Sequence, residues 1–266
     1  MRLGLSSYSY RYAVADAGAP LGAAEMLQRA AALQLDFLQI CDNVPLHSLS
    51  IGELQALGSQ AAGLGVAIEV GTRGLNADHL WRYLEIAQTL GSRALRLVLD
   101  TGNADKALTQ LRAMIPGFEK ADVTLAIENH FDLASNNLVA LARELGSERV
   151  RFCLDTANSA GLLERPLETV AALGELACQV HLKDYIVEKV AVGYHITGRP
   201  LGEGWLDVQA VLELLGRRRT TLDYAVELWM DPAASREATL EKEERWIAQS
   251  VQTAKSVLNS IMKDER

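Results

Sequence analysis

Eight short apolar runs, separated by stretches with helical spacing, constrain the fold of this chain more than any other feature. The runs are Leu3–Tyr8, Asp36–Cys41, Val66–Val70, Ala94–Leu99, Val123–Glu128, Val150–Asp155, Cys178–Lys183 and Thr221–Glu227. Between them, Leu80, Tyr83, Leu84 and Ala87 share one helix face that Gly91 ends; Leu138, Leu141, Ala142 and Leu145 share another that Gly146 ends. Ile247, Val251, Ala254, Leu258 and Ile261 make a third stripe near the C-terminus. Steps of three and four residues place side chains on one helix face, and glycine suits the left-handed residue just past a helix end. Strands that alternate with helices run parallel. Eight such units in 266 residues predict one α/β domain over 1–266, a (β/α)8 TIM barrel. A doubly wound open sheet is the rival. No linker rich in Gly, Pro or Ser divides the chain.

Alternation within the strands favours closure. Leu125 and Ile127 oppose Ala126 and Glu128; Phe152 and Leu154 oppose Cys153 and Asp155. Val180 and Leu182 oppose Gln179, His181 and Lys183; Val226 and Leu228 oppose Ala225 and Glu227. The bulky set is expected to face the helices, and the smaller or polar set the barrel interior. Glu69 and Arg96 have the inward parity on the third and fourth strands, where they either pair with each other or contact substrate.

Glu128, Asp155, His181 and Glu227 close four successive runs with that same inward parity. Barrel enzymes carry their chemistry at the C-terminal strand ends. Singly, each residue has an ordinary explanation: a strand-end carboxylate is usually a cap or a salt-bridge partner, and a buried histidine a hydrogen-bonded core residue. Together, on neighbouring strands, they point to a cage for one divalent metal. Three carboxylates and an imidazole form a hard ligand set that suits Mn²⁺ or Mg²⁺ and tolerates Co²⁺ and Zn²⁺. Converging carboxylates without a cation would raise one another's pKa.

Composition narrows the class. A net charge of -8 argues against nucleic acid or an anionic membrane as partner. No apolar stretch approaches the ~18 residues of a membrane span, and the N-terminus lacks a signal-peptide core. Three cysteines (Cys41, Cys153, Cys178) with no C-x-x-C spacing fit a reducing, cytoplasmic setting. The connection from Tyr185 to Trp205 is long, as functional loops often are, and carries His195, Arg199 and Gly202-Glu203-Gly204. That Gly-x-Gly is weak evidence for phosphate binding, and no nucleotide-binding glycine motif is present.

The whole chain resembles the xylose isomerase-like TIM-barrel superfamily, in its sugar phosphate isomerase/epimerase branch. The resemblance rests on I-E-N at 127–129, C-L-D-T-A-N at 153–158, H-L-K-D at 181–184, G-R-P-L-G-E-G-W-L-D at 198–207 and V-E-L at 226–228. It implies one divalent metal, Mn²⁺ foremost, held by Glu128, Asp155, His181 and Glu227. It also implies that Glu128 and Glu227 flank the carbon that exchanges a proton, and that Arg199 contacts substrate hydroxyls or a phosphate. The implied substrate is a small carbohydrate, and dimers and tetramers are common among relatives. Asn158 stands where many epimerases of the family carry a histidine, which puts any carry-over of substrate specificity in doubt.

The expected reaction is isomerisation or epimerisation of a small sugar or keto-sugar through a metal-stabilised enediolate, with the two glutamates as proton carriers. The same ligands would serve a decarboxylase or dehydratase acting on a 3-oxo sugar acid, and the ligands alone do not separate these outcomes. An abasic-site endonuclease on a related barrel would need more histidines than five and a basic groove. A non-catalytic sugar-binding module would not need both glutamates. Around the cage, His130 shares the parity of Glu128 and is expected to bind substrate, exchange a proton or brace the site. Lys183 either polarises a substrate oxygen or balances the cage's charge. Tyr8 and Trp205 either line the pocket or pack in the core. His47 is expected on a surface loop and His79 at an exposed helix start.

Overall fold

Every apolar run becomes a strand because its alternating side chains have two surroundings to enter, the apolar helix layer outside and the narrow, largely polar interior within. The computed structural model describes residues 1–216 and 222–264. Its strands are β1 (Arg2–Ser6), β2 (Phe37–Ile40), β3 (Ala67–Arg73), β4 (Ala94–Val98), β5 (Thr124–Glu128), β6 (Val150–Asp155), β7 (Ala177–Leu182), β8 (Asp184–Lys189), β9 (Tyr194–Arg199) and β10 (Asp223–Val226). Thr221, expected to open the last barrel strand, lies outside the described residues. The helices are α1 (Arg11–Val14), α2 (Ala23–Ala32), α3 (Ile51–Leu64), α4 (Ala77–Leu90), α5 (Ala104–Arg112), α6 (Ile115–Ala121), α7 (Ser135–Leu145), α8 (Pro166–Leu173), α9 (Val208–Gly216) and α10 (Arg236–Asp264).

Eight parallel strands close in the order β1-β10-β7-β6-β5-β4-β3-β2. The pairing of β1 with β10, from Arg2 opposite Asp223 to Leu5 opposite Val226, excludes the open sheet. The bulky strand residues Leu125, Ile127, Phe152, Leu154, Val180, Leu182 and Val226 join the main core with the helix stripes. Ala94, Ala126 and Cys153 form a separate small cluster inside the barrel. Burying one such large aliphatic side chain contributes about 1.5–3 kcal/mol, so the parity is enforced on every strand. Gly91 and Gly146 end α4 and α7 with φ of +68° and +64°, the left-handed conformation their lack of Cβ allows.

Two segments depart from the sequence expectation. The first strand stops at Ser6, whose hydroxyl accepts from the Tyr8 amide and turns Ser7–Tyr10 into a short 3₁₀ helix. The long connection after β7 folds into the antiparallel hairpin β8–β9. Its base is fastened by Asp184. That carboxylate accepts from the amides of Gly202, Gly204 and Leu206, each at 2.9 Å, and of Tyr185 at 2.8 Å. The Gly-Glu-Gly turn, a weak phosphate signal in the sequence, thus wraps an anion supplied by the chain itself. A Cβ on Gly204 would fall 2.1 Å from Asp184 Oδ1.

Candidate metal centre

Residues next to each cage side chain lock the strand ends together. Asn129 accepts from the Asp155 amide at 2.7 Å and donates to the Asp155 carbonyl at 2.9 Å, tying the tips of β5 and β6. The Thr156 hydroxyl donates to the carbonyls of His181 and Lys183 and accepts from the Lys183 amide, tying β6 to β7. Asp155 Oδ1 accepts from the amides of Ala157 and Asn158, both at 2.8 Å, which aims Oδ2 at the barrel axis. The Glu227 amide donates to the Leu182 carbonyl at 3.2 Å and joins the last strand to β7.

The four ligand candidates meet. One donor atom from each of Glu128, Asp155, His181 and Glu227 lies within 4.8 Å of the others, and all four residues are buried. His181 Nδ1 is 3.1 Å from Glu227 Oε2, 3.7 Å from Asp155 Oδ2 and 3.8 Å from Glu128 Oε1. Asp155 Oδ2, His181 Nδ1 and Glu227 Oε2 are buried yet make no hydrogen bond. Buried polar atoms rarely go without a partner, so lone pairs converging on one point fit a bound cation. The oxygen and nitrogen donors fit a hard or borderline divalent ion.

Protein cations already stand at this centre. Lys183 Nζ is 2.6 Å from Glu227 Oε1, 2.9 Å from Asp155 Oδ2 and 3.3 Å from Asn158 Oδ1. The first two approaches are buried ion pairs. Arg96 is ion-paired to Glu128 and reaches Asp42 at 3.1 Å. Asn158 donates to Glu128 Oε1 at 2.9 Å. Burial pushes the Glu128 carboxyl above its ordinary range, against the pull of Arg96 and His181. Burial also opposes charge on Glu227 and Asp155. There Lys183 and His181 outweigh it and hold both carboxyls low, Glu227 at about 2. Burial disfavours the His181 imidazolium, yet Glu227, Glu128 and Asp155 together raise it. Burial, then Arg73, Arg96 and Lys183, push His130 down to about 4, so its ring is neutral near pH 7.

A cleft of about 370 Å³ opens over the cage and is lined by Tyr8, Arg11, Arg73, Arg96, Glu128, His130, Phe131, Asn158, Lys183, Glu227, Leu228 and Trp229. His130, Asn158, Lys183 and Arg96 are therefore brought to the site, as is Tyr8, whose hydroxyl donates to Asp42 at 2.7 Å. A larger hollow of about 570 Å³, lined from α2 and α10, lies away from the cage.

Three expected site residues lie elsewhere. Glu69 is paired with Arg2 and accepts from the Ser92 hydroxyl at 2.9 Å, at the N-terminal end of β4. It does not pair with Arg96, because the β3–β4 register sets Gly71, two residues on, opposite Arg96. His195 and Arg199 belong to the hairpin: His195 is exposed opposite Glu188, and Arg199 donates to Glu188 at 2.8 Å. Neither lines the cleft. Trp205 is 65% exposed and also outside it. His47 is exposed, bonded to the Tyr83 hydroxyl at 3.0 Å, and His79 at the start of α4 meets Thr72 at 2.8 Å.

The sequence reading missed Arg11, Arg73, Phe131 and Trp229 in the wall, and Asp42 behind Arg96. Trp229 and Arg73 carried a usable signal, since each continues the inward parity of its strand, two beyond Glu227 and two beyond Gly71. Trp229 stacks under the Lys183 ammonium, 4.8 Å from its ring centre.

A family model described as xylose isomerase-like TIM barrel matches residues 103–255. The chain is 32% identical over 258 residues to 3-oxo-isoapionate decarboxylase of Pectobacterium atrosepticum, covering 94% of each. Among solved structures, it superposes on D-psicose 3-epimerase from Clostridium cellulolyticum H10 with a TM-score of 0.76 at 14% identity, covering 97% of this chain and 99% of that one. A xylose isomerase-like TIM-barrel protein from Mycobacterium smegmatis in complex with magnesium gives 0.68 at 16%, covering 95% and 97%. No helix among the described residues is long and apolar enough to cross a membrane.

Proposed function

Because this chain belongs to the xylose isomerase-like TIM-barrel family, we propose that it is a metal-dependent lyase that decarboxylates a 3-oxo sugar acid. The observation that carries this reading is the 32% identity to a 3-oxo-isoapionate decarboxylase across 94% of both chains. In this reading Glu128, Asp155, His181 and Glu227 hold one divalent ion: Mn²⁺, Mg²⁺, Co²⁺ or Zn²⁺. When bound, that ion supplies Lewis acidity toward a substrate carbonyl oxygen.

The remaining chemistry belongs to side chains of the cleft. Loss of CO₂ breaks a C–C bond, and its electron pair moves toward the 3-oxo carbonyl. Lys183 and Arg96, both buried and cationic, favour that shift of charge. Trp229 and Phe131 offer flat apolar faces to the sugar carbons and exclude water. The carbon left behind then takes a proton, for which Glu128, a carboxyl that lines the cleft, is the proposed carrier. His130 and Asn158 are the proposed contacts to substrate hydroxyls.

A second reading, isomerisation or epimerisation of a keto-sugar, is favoured by the presence of two glutamates in one cage, Glu128 and Glu227. The two are separated by ¹³C NMR of purified protein with 3-oxo-isoapionate and with a ketose panel in D₂O. Release of labelled CO₂ supports the lyase. Solvent exchange at a ketose carbon without CO₂ supports the isomerase or epimerase and removes the lyase reading.

A further inference from the structure

His181 presents Nδ1 to the cage, and its other ring nitrogen meets a side chain from across the barrel. Nε2 lies 2.6 Å from Oε1 of Gln39 on β2. Gln39 in turn donates from Nε2 to Gln179 Oε1 at 3.0 Å. All three side chains are buried. The Cys41 thiol also approaches Gln39 Oε1, at 3.5 Å. Strands β1 and β10 separate β2 from β7 on the wall, so this contact runs through the interior.

A carbonyl oxygen can only accept. With Gln39 Oε1 against it, His181 Nε2 carries a proton, so in the neutral ring that metal binding requires Nδ1 is the nitrogen left with a lone pair. That lone pair is the atom found buried, unpartnered and facing Glu128, Asp155 and Glu227. We infer that Gln39 is a positioning residue that fixes His181 as the Nε2–H tautomer, so that Nδ1 is the metal donor. This rests on the metal-cage reading above. Histidine ligands generally need such an outer partner, and losing it costs about 10- to 100-fold in metal affinity.

The test is calorimetric titration of the metal-free full chain with Mn²⁺, for wild type, Gln39→Leu and Gln39→Glu, with melting curves to establish folding. Wild type should bind one equivalent. Gln39→Leu should bind about 10- to 100-fold more weakly. Gln39→Glu, which keeps an acceptor facing Nε2, should stay within about threefold of wild type. If Gln39→Leu does not fold, the Gln39→Glu affinity is paired with ¹⁵N-histidine NMR of the Zn²⁺-loaded wild type, which should report a protonated Nε2 on His181. Equal affinity in wild type and Gln39→Leu, loss of binding in Gln39→Glu, or a metal-bound Nε2 would overturn the assignment. A wild type that binds no Mn²⁺ removes the cage reading first, and this one with it.

Discussion

Lys183 Nζ stands 2.6 Å from Glu227 Oε1 with both side chains buried, so one cage carboxylate already has a protein cation against it. The same ammonium is 2.9 Å from Asp155. Lys183 therefore serves the metal-free barrel as a counter-charge and shares two carboxylates with any ion that enters. A divalent ion held there, as proposed, would share the charge of these carboxylates with the Lys183 ammonium.

Replacing Lys183 with Met should expose that sharing. Removing one partner of a buried ion pair costs about 3–5 kcal/mol. The metal-free variant should lose stability on that scale in EDTA. Added Mn²⁺ should raise its melting temperature more than it raises that of wild type, since ligand binding stabilises the native state. Equal metal-induced shifts in the two proteins would refute the shared counter-charge.

Acid should unfold the metal-free protein through the cage. The Glu227 carboxyl sits at about 2 in the folded state, and Asp155 is likewise lowered, against about 4 for unfolded carboxyls. The unfolded chain therefore takes up protons first as pH falls. The contribution of these groups is complete above pH ~5 and is lost as pH drops through about 2. Urea melts from pH 6 to pH 2.5 should show a steeper loss in wild type than in Asp155→Asn. Parallel curves would count against it.

Arg199→Ala should leave turnover within about twofold and stability within about 1 kcal/mol, because an exposed ion pair such as the one to Glu188 contributes little. A loss of turnover beyond tenfold would mean that the hairpin folds over the substrate and brings Arg199 to it.

Gly204→Ala should destabilise the hairpin base. The added methyl would meet Asp184 Oδ1 at 2.1 Å, and overpacking of this kind costs about 1–3 kcal/mol. Hydrogen exchange of the Gly202, Gly204 and Leu206 amides, all bound to Asp184, should speed up before the rest of the barrel. Unchanged exchange at those amides would show that the turn does not depend on this contact.

Helical stripes, strand alternation and the inward parity of Glu128, Asp155, His181 and Glu227 were legible because each depends only on residues a few positions apart. The roles of Asn129 and Thr156 were not, since their partners Asp155 and His181 sit 26 and 25 residues away on the next strand. Arg199 sits away from the cleft for a related reason. Its motif neighbours are real, but Gly202 and Gly204 serve Asp184, and the register of β8 with β9 sends Arg199 to Glu188.

By itself the sequence determined the barrel, the face each strand residue takes and the four residues that meet in the cage. Only the tertiary structure decided depth. Glu69 and Arg96 share a parity, yet Gly71 and not Glu69 lies opposite Arg96, so one carboxylate drops to the far end with Arg2 while Arg96 joins Glu128. Side-chain alternation is local and has period two, whereas height along the axis is set by how neighbouring strands slide against each other when the sheet closes.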